Sequence, residues 1–214
     1  MVDDAGRRWR RRKTARPGEI TAAALEVFAE KGFAGARLDE IAARAGVSKG
    51  ALYLYFETKE ELFRAVVRDA VAPNFDALQN MAHAFPGAFS ELAPLLLQRM
   101  ARMVGGSPLP AVAKMVIGES RNFPDLARVW HDSLVSKAIG LMADLIARAQ
   151  ARGEVRPGEP RLYAISLVGP MVVGFIWGEV FVPVGAEPID LGALADQHAR
   201  AVLRGMLATP ESAP

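Results

Sequence analysis

The segment from Ile41 to Phe56, IAARAGVSKGALYLYF, has the pattern of two short helices joined by a tight turn. Its first apolar residues keep the spacing of a helix, and Gly46 then interrupts that spacing, as a residue with left-handed backbone does after a helix end. Ser48 is a favourable N-cap for a second helix that buries Leu52 and Phe56 on one side. The segment therefore predicts a helix-turn-helix, whose second helix enters the major groove of DNA.

The residues on both sides of this motif extend the pattern in a fixed register. Gly32-Phe33 precede the motif, and the run TKEEL at residues 58–62 follows it with the spacing of a capping box. Together with the motif at residues 37–56, these segments resemble the N-terminal domain of the tetracycline-repressor (TetR/AcrR) family of bacterial transcriptional regulators over about residues 17–63. One position departs from that family, which usually has Ser or Thr where this chain has Arg37. The weakened helix cap leaves Arg37 able to approach a phosphate.

The whole chain supports an all-α protein. Its 214 residues are 51% hydrophobic, which excludes a mostly disordered chain, and no alternating strand pattern appears. The helical spacings predict about nine helices. The resemblance implies a helix-turn-helix DNA-binding domain at residues 17–63 and a helical ligand-binding and dimerisation domain at residues 64–214.

Positive charge is concentrated before the DNA-binding domain. Residues 1–16 carry seven basic and two acidic side chains, a net charge of +5, whereas residues 64–214 carry fourteen of each. We interpret residues 1–16 as a basic arm that either contacts DNA phosphates or the minor groove, or is a solvated tail.

The candidate DNA contacts lie in and around the second helix of the motif. Lys49 can reach a phosphate or a guanine edge, and Tyr53 can bond a phosphate or pack on a thymine methyl. Lys59 stands at the start of the next helix, beside unpaired N–H groups that attract phosphate. The alternative for Tyr53 and Tyr55 is half-buried packing under Phe56. The predicted set is Arg37, Ser48, Lys49, Gly50, Ala51, Tyr53, Leu54, Tyr55 and Lys59.

A helix of about two turns reads few bases, so two copies on a symmetric dimer are expected to read a palindromic double-stranded operator. The apolar helix at about residues 161–181 offers small residues at a spacing of four, which place them on one face. The resemblance implies that the last two helices form the dimer interface; packing within the same chain is the alternative. The predicted interface residues are Ser166, Pro170, Gly174 and Gly178.

The helices between residues 88 and 180 could enclose a small, hydrophobic effector. Methionine and aromatic side chains suit an adaptable wall, and a few polar groups would anchor the ligand. The alternative for each apolar residue is ordinary core, and for His131 a structural role. The predicted pocket residues are Met100, Met103, Val104, Met115, Glu119, Phe123, Trp130, His131, Leu134, Met171 and Phe175, with Arg121, Asn122, Met142 and Trp177 as further candidates.

Several other classes of protein are disfavoured. The absence of cysteine excludes disulfides and thiolate metal sites, the three histidines lack metal-ligand spacing, and no nucleophile–base pair or phosphate loop supports an enzyme. No cofactor is predicted. Residues 162–178 carry no charge, but glycines and Pro170 interrupt them, so we expect a core or interface helix and no membrane association. We predict a cytoplasmic, ligand-released repressor. The alternatives are a DNA-binding regulator without an effector and a helical enzyme.

Overall fold

The computed structural model describes residues 4–105 and 107–208, with side chains described for all of these except residues 4–16 and 70–74. This part of the chain is helical, with one isolated backbone bridge between Val155 and Leu207. The predicted all-α class is therefore confirmed. The α-helices are α1 Asp4–Gly35, α2 Leu38–Arg44, α3 Lys49–Tyr53, α4 Lys59–Ala84, α5 Phe89–Val104, α6 Leu109–Glu119, α7 Pro124–Trp130, α8 Ser136–Ala151, α9 Pro160–Val180 and α10 Leu191–Met206.

These helices agree with the predicted ones except at three places. Pro17 suits the first turn of a helix, but the first helix begins at Asp4, so the backbone of residues 4–16 of the basic arm is part of α1; the arm's side chains lie outside the described residues. Pro73 predicts a break or kink in the fourth helix, but that helix runs as one segment from Lys59 to Ala84. The apolar spacing of residues 126–152 predicts one long helix, but a π-helical segment, His131–Val135, interrupts it and separates α7 from α8.

Two glycines set the turns of the N-terminal domain. Gly32 has φ +73° and ψ 174°, which bends the chain out of α1 one turn before the end of that segment. Gly46 has φ +66° and ends α2, as its position in the motif predicted. Both backbone conformations are unfavourable for residues with a Cβ atom, which accounts for glycine at each turn.

The N-terminal core joins the DNA-binding motif to the middle of the chain. Phe28, Phe33 and Phe63 are fully buried and pack against one another with ring centroids 5.5–5.9 Å apart. Residues of α6 and α7 complete the same core, because Val112, Met115, Val116 and Leu126 are buried in it. Helices α6 and α7 are therefore packed as part of the DNA-binding half.

The C-terminal core is formed by α5, α8, α9 and α10. Its fully buried side chains include Leu97, Ile146, Leu167 and Met171. Helix α6 is tied to this half by one polar contact, since Lys114 Nζ donates to the carbonyl of Glu179 in the last turn of α9 at 2.8 Å. A cation is favourable there because the last carbonyls of a helix have no partner within it.

His198 of α10 supplies a hydrogen-bond donor that Pro170 of α9 lacks. Pro170 has no backbone N–H, so the carbonyl of Ser166 loses its helical hydrogen-bond donor. His198 Nε2 lies 3.1 Å from the carbonyl oxygens of both Ser166 and Leu167. Carbonyl oxygens only accept, so His198 carries a proton on Nε2 and has a structural role between α9 and α10.

Candidate DNA interface and effector region

Helix α3 presents one buried and one exposed side. Leu52 is fully buried and Phe56 is 8% exposed, which fixes the helix against the N-terminal core. Ser48 caps it as predicted, because its Oγ accepts a hydrogen bond from the N–H of Ala51 at 3.2 Å. The opposite side carries the predicted contact residues, including Leu54, whose side chain is 84% exposed. Among the described residues, little of this large apolar side chain is covered, so it is available to a partner.

Tyr53 and Tyr55 are also turned outward. They are 43% and 36% exposed, so they retain contact with the protein while their surfaces remain accessible. Gly50 faces open space, since a Cβ atom at this position would meet no atom within 4 Å. Glycine is thus not required here by packing among the described residues.

The cation of α3 is paired with a carboxylate of α2. Lys49 Nζ lies 2.8 Å from Asp39, and the hydrogen bond to Asp39 raises the pKa of Lys49, while the charge of Arg37 opposes that rise. Arg37 and Lys49 are therefore neighbouring cations at the start of the motif. Arg37 precedes α2 with extended backbone and makes no side-chain cap, as its departure from the family pattern predicted.

Lys59 does not point toward solvent, contrary to the prediction that it contacts phosphate. Its Nζ donates to the carbonyl oxygens of Phe33 at 2.6 Å and Ala36 at 3.1 Å, and lies 4.5 Å from the centre of the Phe33 ring. A third acceptor, the carbonyl of Ala34, is at 3.4 Å. An ammonium group has three donors, so these contacts use its hydrogen-bonding capacity within the chain.

Glu119 likewise has a role within the chain rather than the predicted one of a ligand anchor. Its carboxylate accepts hydrogen bonds from the backbone N–H groups of Phe33 and Ala34, both at 2.8 Å. It also fills the space beside Gly32, where a Cβ atom would lie 2.4 Å from Glu119 Oε1. We call Lys59, Glu119 and the backbone of residues 32–36 the turn clamp, because Glu119 binds the amide groups and Lys59 the carbonyl groups of one turn.

The remaining predicted pocket residues do not surround one cavity. Met115, Phe123, Trp130 and Leu134 pack in or against the N-terminal core, and the Phe123 ring lies 5.1 Å from that of Phe33. Met100, Met171 and Phe175 belong to or pack against the C-terminal core, while Met103 and Val104 are partly buried at the end of α5. His131 is exposed, and its Nδ1 lies 2.7 Å from Asp132. The predicted wall is thus divided between the two cores.

Helix α9 has an apolar face that the described part of the chain leaves exposed. With the following turn it spans Pro160–Val184, a segment long and apolar enough to cross a membrane, yet only 22% of its most apolar 18 residues is buried within the chain. The exposed apolar side chains include Leu162, Ile165, Val172 and Val173. Gly178 is exposed and Pro170 partly so, whereas Gly174 is buried under Leu191 and Leu194 of α10. Gly174 therefore packs within the chain, which corrects its assignment to a dimer interface.

These exposed aliphatic residues were not predicted from the sequence, because the predicted interface was based on the small residues of the same helix. The turn clamp was not predicted either, because the sequence carries a signal for it only at Gly32. The ammonium and carboxylate groups that bind this turn are 60 residues apart in sequence, at positions 59 and 119.

Two sequence models of one family match the chain. The model described as bacterial regulatory proteins, tetR family, matches residues 20–66, and the model described as the tetracyclin repressor-like C-terminal domain matches residues 94–191. The first range contains the exposed side of α3 and the second contains α6 to α9.

Relatives support the same assignment. A 53-residue segment is 51% identical to the HTH-type transcriptional activator FasR of Mycolicibacterium smegmatis, covering 25% of this chain and 24% of that protein. A crystal structure of a tetR-family regulator from Mesorhizobium loti superposes with a TM-score of 0.77 at 24% identity, covering 92% of this chain and 99% of the other. The regulator FadR of Bacillus subtilis, solved with stearoyl-CoA, superposes with a TM-score of 0.75 at 21% identity, covering 87% and 97%. These structures establish a shared fold.

Proposed function

Because the chain belongs to the tetR family of bacterial regulatory proteins, we propose that it is a homodimeric transcriptional repressor that binds a palindromic operator and leaves it when a small molecule binds the C-terminal domain. The observation that carries this proposal is the exposed side of α3, where Lys49, Tyr53 and Leu54 project from a helix fixed by buried Leu52. A regulator of DNA acts where the DNA is, so we place it in the cytoplasm.

The chemistry of that side suits DNA. A cation at Lys49 neutralises phosphate, the exposed Leu54 and the ring of Tyr53 offer apolar contact to thymine methyl groups, and Gly50 leaves room for close approach. Arg37, Ser48, Ala51 and Tyr55 flank this surface and complete the proposed contact set. Lys59 is omitted from it because its ammonium group is used in the turn clamp.

We infer a dimer because one copy of α3 is too short to read a complete operator. Five residues at about 1.5 Å each give a helix of about 8 Å, which contacts only part of one major groove. The uncovered apolar face of α9, with Leu162, Ile165, Val172 and Val173, is the surface we assign to the second protomer. Ser166, Pro170 and Gly178 lie on the same helix. Burial of this face explains why so apolar a helix needs no membrane.

A ligand can release DNA only if it binds the two states of the dimer with different affinity. The Bacillus subtilis relative was solved with stearoyl-CoA, which supports a hydrophobic ligand for this chain. The described packing also favours a second candidate, a DNA-binding regulator without an effector, because Met115 and Met171 are 7% and 0% exposed inside two separate cores. Activation is the third outcome to be tested, since the Mycolicibacterium smegmatis relative is a transcriptional activator.

The test begins with the full chain and a random duplex library. Selected sequences are expected to share an inverted repeat, and binding of the selected duplex should weaken steeply as salt rises, because phosphate contacts release counterions. The Lys49→Ala/Tyr53→Ala double variant should lose this binding, with Arg128→Gln as a matched surface control. Full operator affinity of the double variant would contradict the proposal. A thermal-shift screen of hydrophobic molecules, with hits retested for release of the selected duplex, then separates the effector-controlled regulator from one without an effector.

A further inference from the structure

A cavity of about 360 Å³ lies at the end of the molecule away from the turn clamp, between the last turn of α4, the first turns of α5 and the end of α8. None of the predicted pocket residues lines it. Part of its floor is apolar, because the buried residues Phe89, Leu92 and Leu145 line it, although polar groups make up more of its exposed surface. The cavity is also lined by Ala82, His83, Ala88, Arg148, Arg152 and Glu154.

The carboxylate of Glu154 forms part of the wall of this cavity. Glu154 accepts a hydrogen bond from the N–H of Phe89, the first residue of α5, at 2.7 Å, and is paired with Arg152. Both contacts stabilise the carboxylate, and the pKa of Glu154 is lowered chiefly by Arg152. The Glu154–Arg152 pair is therefore electrically balanced and part of the wall.

Arg148 is the arginine of the lining that does not belong to this pair. It stands one turn before Arg152 on α8, lines the cavity and is exposed. Arg148 and Arg152 set two guanidinium groups against the carboxylate of Glu154, so the lining residues carry a charge of +1 when His83 is neutral. The carboxylate of Glu91 lies beside Gly87 at the edge of the cavity, but Glu91 is not one of the lining residues. A ligand that matches it has one negative charge and an apolar body that rests on Phe89, Leu92 and Leu145. The volume falls within the range of about 300–1,000 Å³ that is usual for small-molecule sites.

We propose that this cavity binds the anion of a small hydrophobic carboxylic acid, with Arg148 at its carboxylate and the apolar floor under its ring or chain. This inference rests on the proposed function, since it names the chemical class of the effector and moves its site from the predicted methionine-rich wall to the junction of α4, α5 and α8. Arginine suits the role because its planar guanidinium binds a carboxylate through two parallel hydrogen bonds.

The site is placed where a ligand can influence the DNA-binding half. Ala82 and His83 belong to the last turn of α4, and the same helix begins at Lys59 in the turn clamp. A continuous helix of 26 residues spans about 39 Å at 1.5 Å per residue, so α4 joins the cavity to the motif. A ligand that repositions the end of α4 acts on an element that both sites share.

The experiment measures binding of 4-phenylbutyrate, benzoate and octanoate to the full chain by calorimetry and thermal unfolding. The amides 4-phenylbutyramide and octanamide test the need for charge, and inorganic phosphate tests for an anion site without an apolar requirement. The variants are Arg148→Gln, Arg148→Lys and Ala88→Leu, which fills the cavity from its exposed edge. Arg128→Gln is the control, because it removes an exposed arginine from α7 that does not line the cavity.

We expect at least one carboxylate to bind at least tenfold more tightly than its amide or phosphate. Arg148→Gln should weaken that binding tenfold or more, Arg148→Lys less, and Ala88→Leu should abolish it, while Arg128→Gln leaves it unchanged. Unfolding curves without ligand identify any variant that is merely misfolded. Failure of every carboxylate to bind, equal binding of amide and acid, or full binding by Arg148→Gln would overturn the inference. Operator binding by the same preparations is scored separately, so a protein that binds DNA but no carboxylate refutes the inference and leaves the DNA-binding proposal intact.

Discussion

The carboxylate of Glu119 accepts a hydrogen bond from the backbone N–H of Phe33 at 2.8 Å, although the two residues are 86 positions apart in sequence. The first belongs to α6 in the middle of the chain and the second to the turn that leads into the DNA-binding motif. Through this bond, α6 is joined to the turn between α1 and α2 by charge and hydrogen bonding as well as by apolar packing.

Replacement of Glu119 by Ala should lower the free energy of unfolding by about 1–3 kcal/mol, because it leaves the amide of buried Phe33 without its acceptor. Urea unfolding measures the change. Asp144→Asn, an exposed carboxylate of α8, is the control and should be nearly neutral. Unchanged stability of Glu119→Ala would show that water replaces the carboxylate.

Lys49 and Lys59 should respond in opposite ways to removal of charge. Lys59→Met should lower stability by about 1–3 kcal/mol, since three carbonyl oxygens lose their donor, yet leave the salt dependence of operator binding unchanged at equal folded fraction. Lys49→Ala should leave stability within about 0.5 kcal/mol of the parent and flatten the salt dependence by roughly one phosphate contact. Fluorescence anisotropy over a salt series, together with urea unfolding, compares them. A flattened slope in Lys59→Met would restore that residue to the DNA interface.

Gly50→Ala should separate folding from DNA binding. The added methyl group meets no protein atom within 4 Å, and alanine is favoured over glycine in a helix by up to about 1 kcal/mol, so stability should be equal or higher. Operator affinity should fall at least tenfold if backbone and DNA approach closely here. Gly118→Ala, in α6 and equally open, is the matched control and should leave affinity unchanged.

Two neighbouring residues of α9 should give different defects. Val173 is 62% exposed, so Val173→Glu should convert a dimer to a folded monomer in light scattering. Gly174→Val should instead lower stability by about 1–3 kcal/mol through overpacking, because a Cβ atom there lies 2.9 Å from side-chain carbons of Leu191 and Leu194. A Val173→Glu protein that remains dimeric would exclude this face of α9 as the interface.

Stability should fall in acid through Glu154. Its pKa is lowered below the ordinary value of 4.5 by Arg152 first and by the Phe89 amide, so its contribution is complete above that pH and is lost as pH falls through the lower, folded-state pKa. Urea unfolding at pH 7 should show Glu154→Gln to be less stable than the parent, and the difference should shrink in strong acid. Glu57→Gln, an exposed control, should show little difference at either pH. A constant deficit of Glu154→Gln across pH would assign its effect to packing alone.

The sequence predicts those structural features that depend on residues close to one another along the chain. Ser48 capping α3, Gly46 in a left-handed turn and the buried pair Leu52 and Phe56 all follow from local spacing, and each is confirmed. The continuous α4 and the π-helical segment did not follow from sequence, because tertiary packing outweighs local preference in long helices.

The predicted DNA, ligand and dimer contacts are wrong for residues that pack against a segment distant in sequence. Lys59 and Glu119 were both assigned to external ligands from their charge and position, yet each is used by the turn at residues 32–36. Gly174 lies on the predicted small-residue face, but α10 fills the space beside it. Periodicity identifies a face of a helix without identifying which neighbour covers it.

The two polar anchors of α6, Lys114 and Glu119, have a consequence for operator architecture. Lys114 is bonded to the end of α9 and Glu119 to the turn before α2, and five residues of helix separate them by about 7.5 Å. If α9 joins the protomers, the distance between the two recognition helices is set by a short rigid spacer inside each subunit. We therefore expect α6 and its two anchors to determine the spacing of the operator half-sites, and α3 to determine which bases are preferred. Relatives can then differ in half-site spacing without a change in base preference, or the reverse.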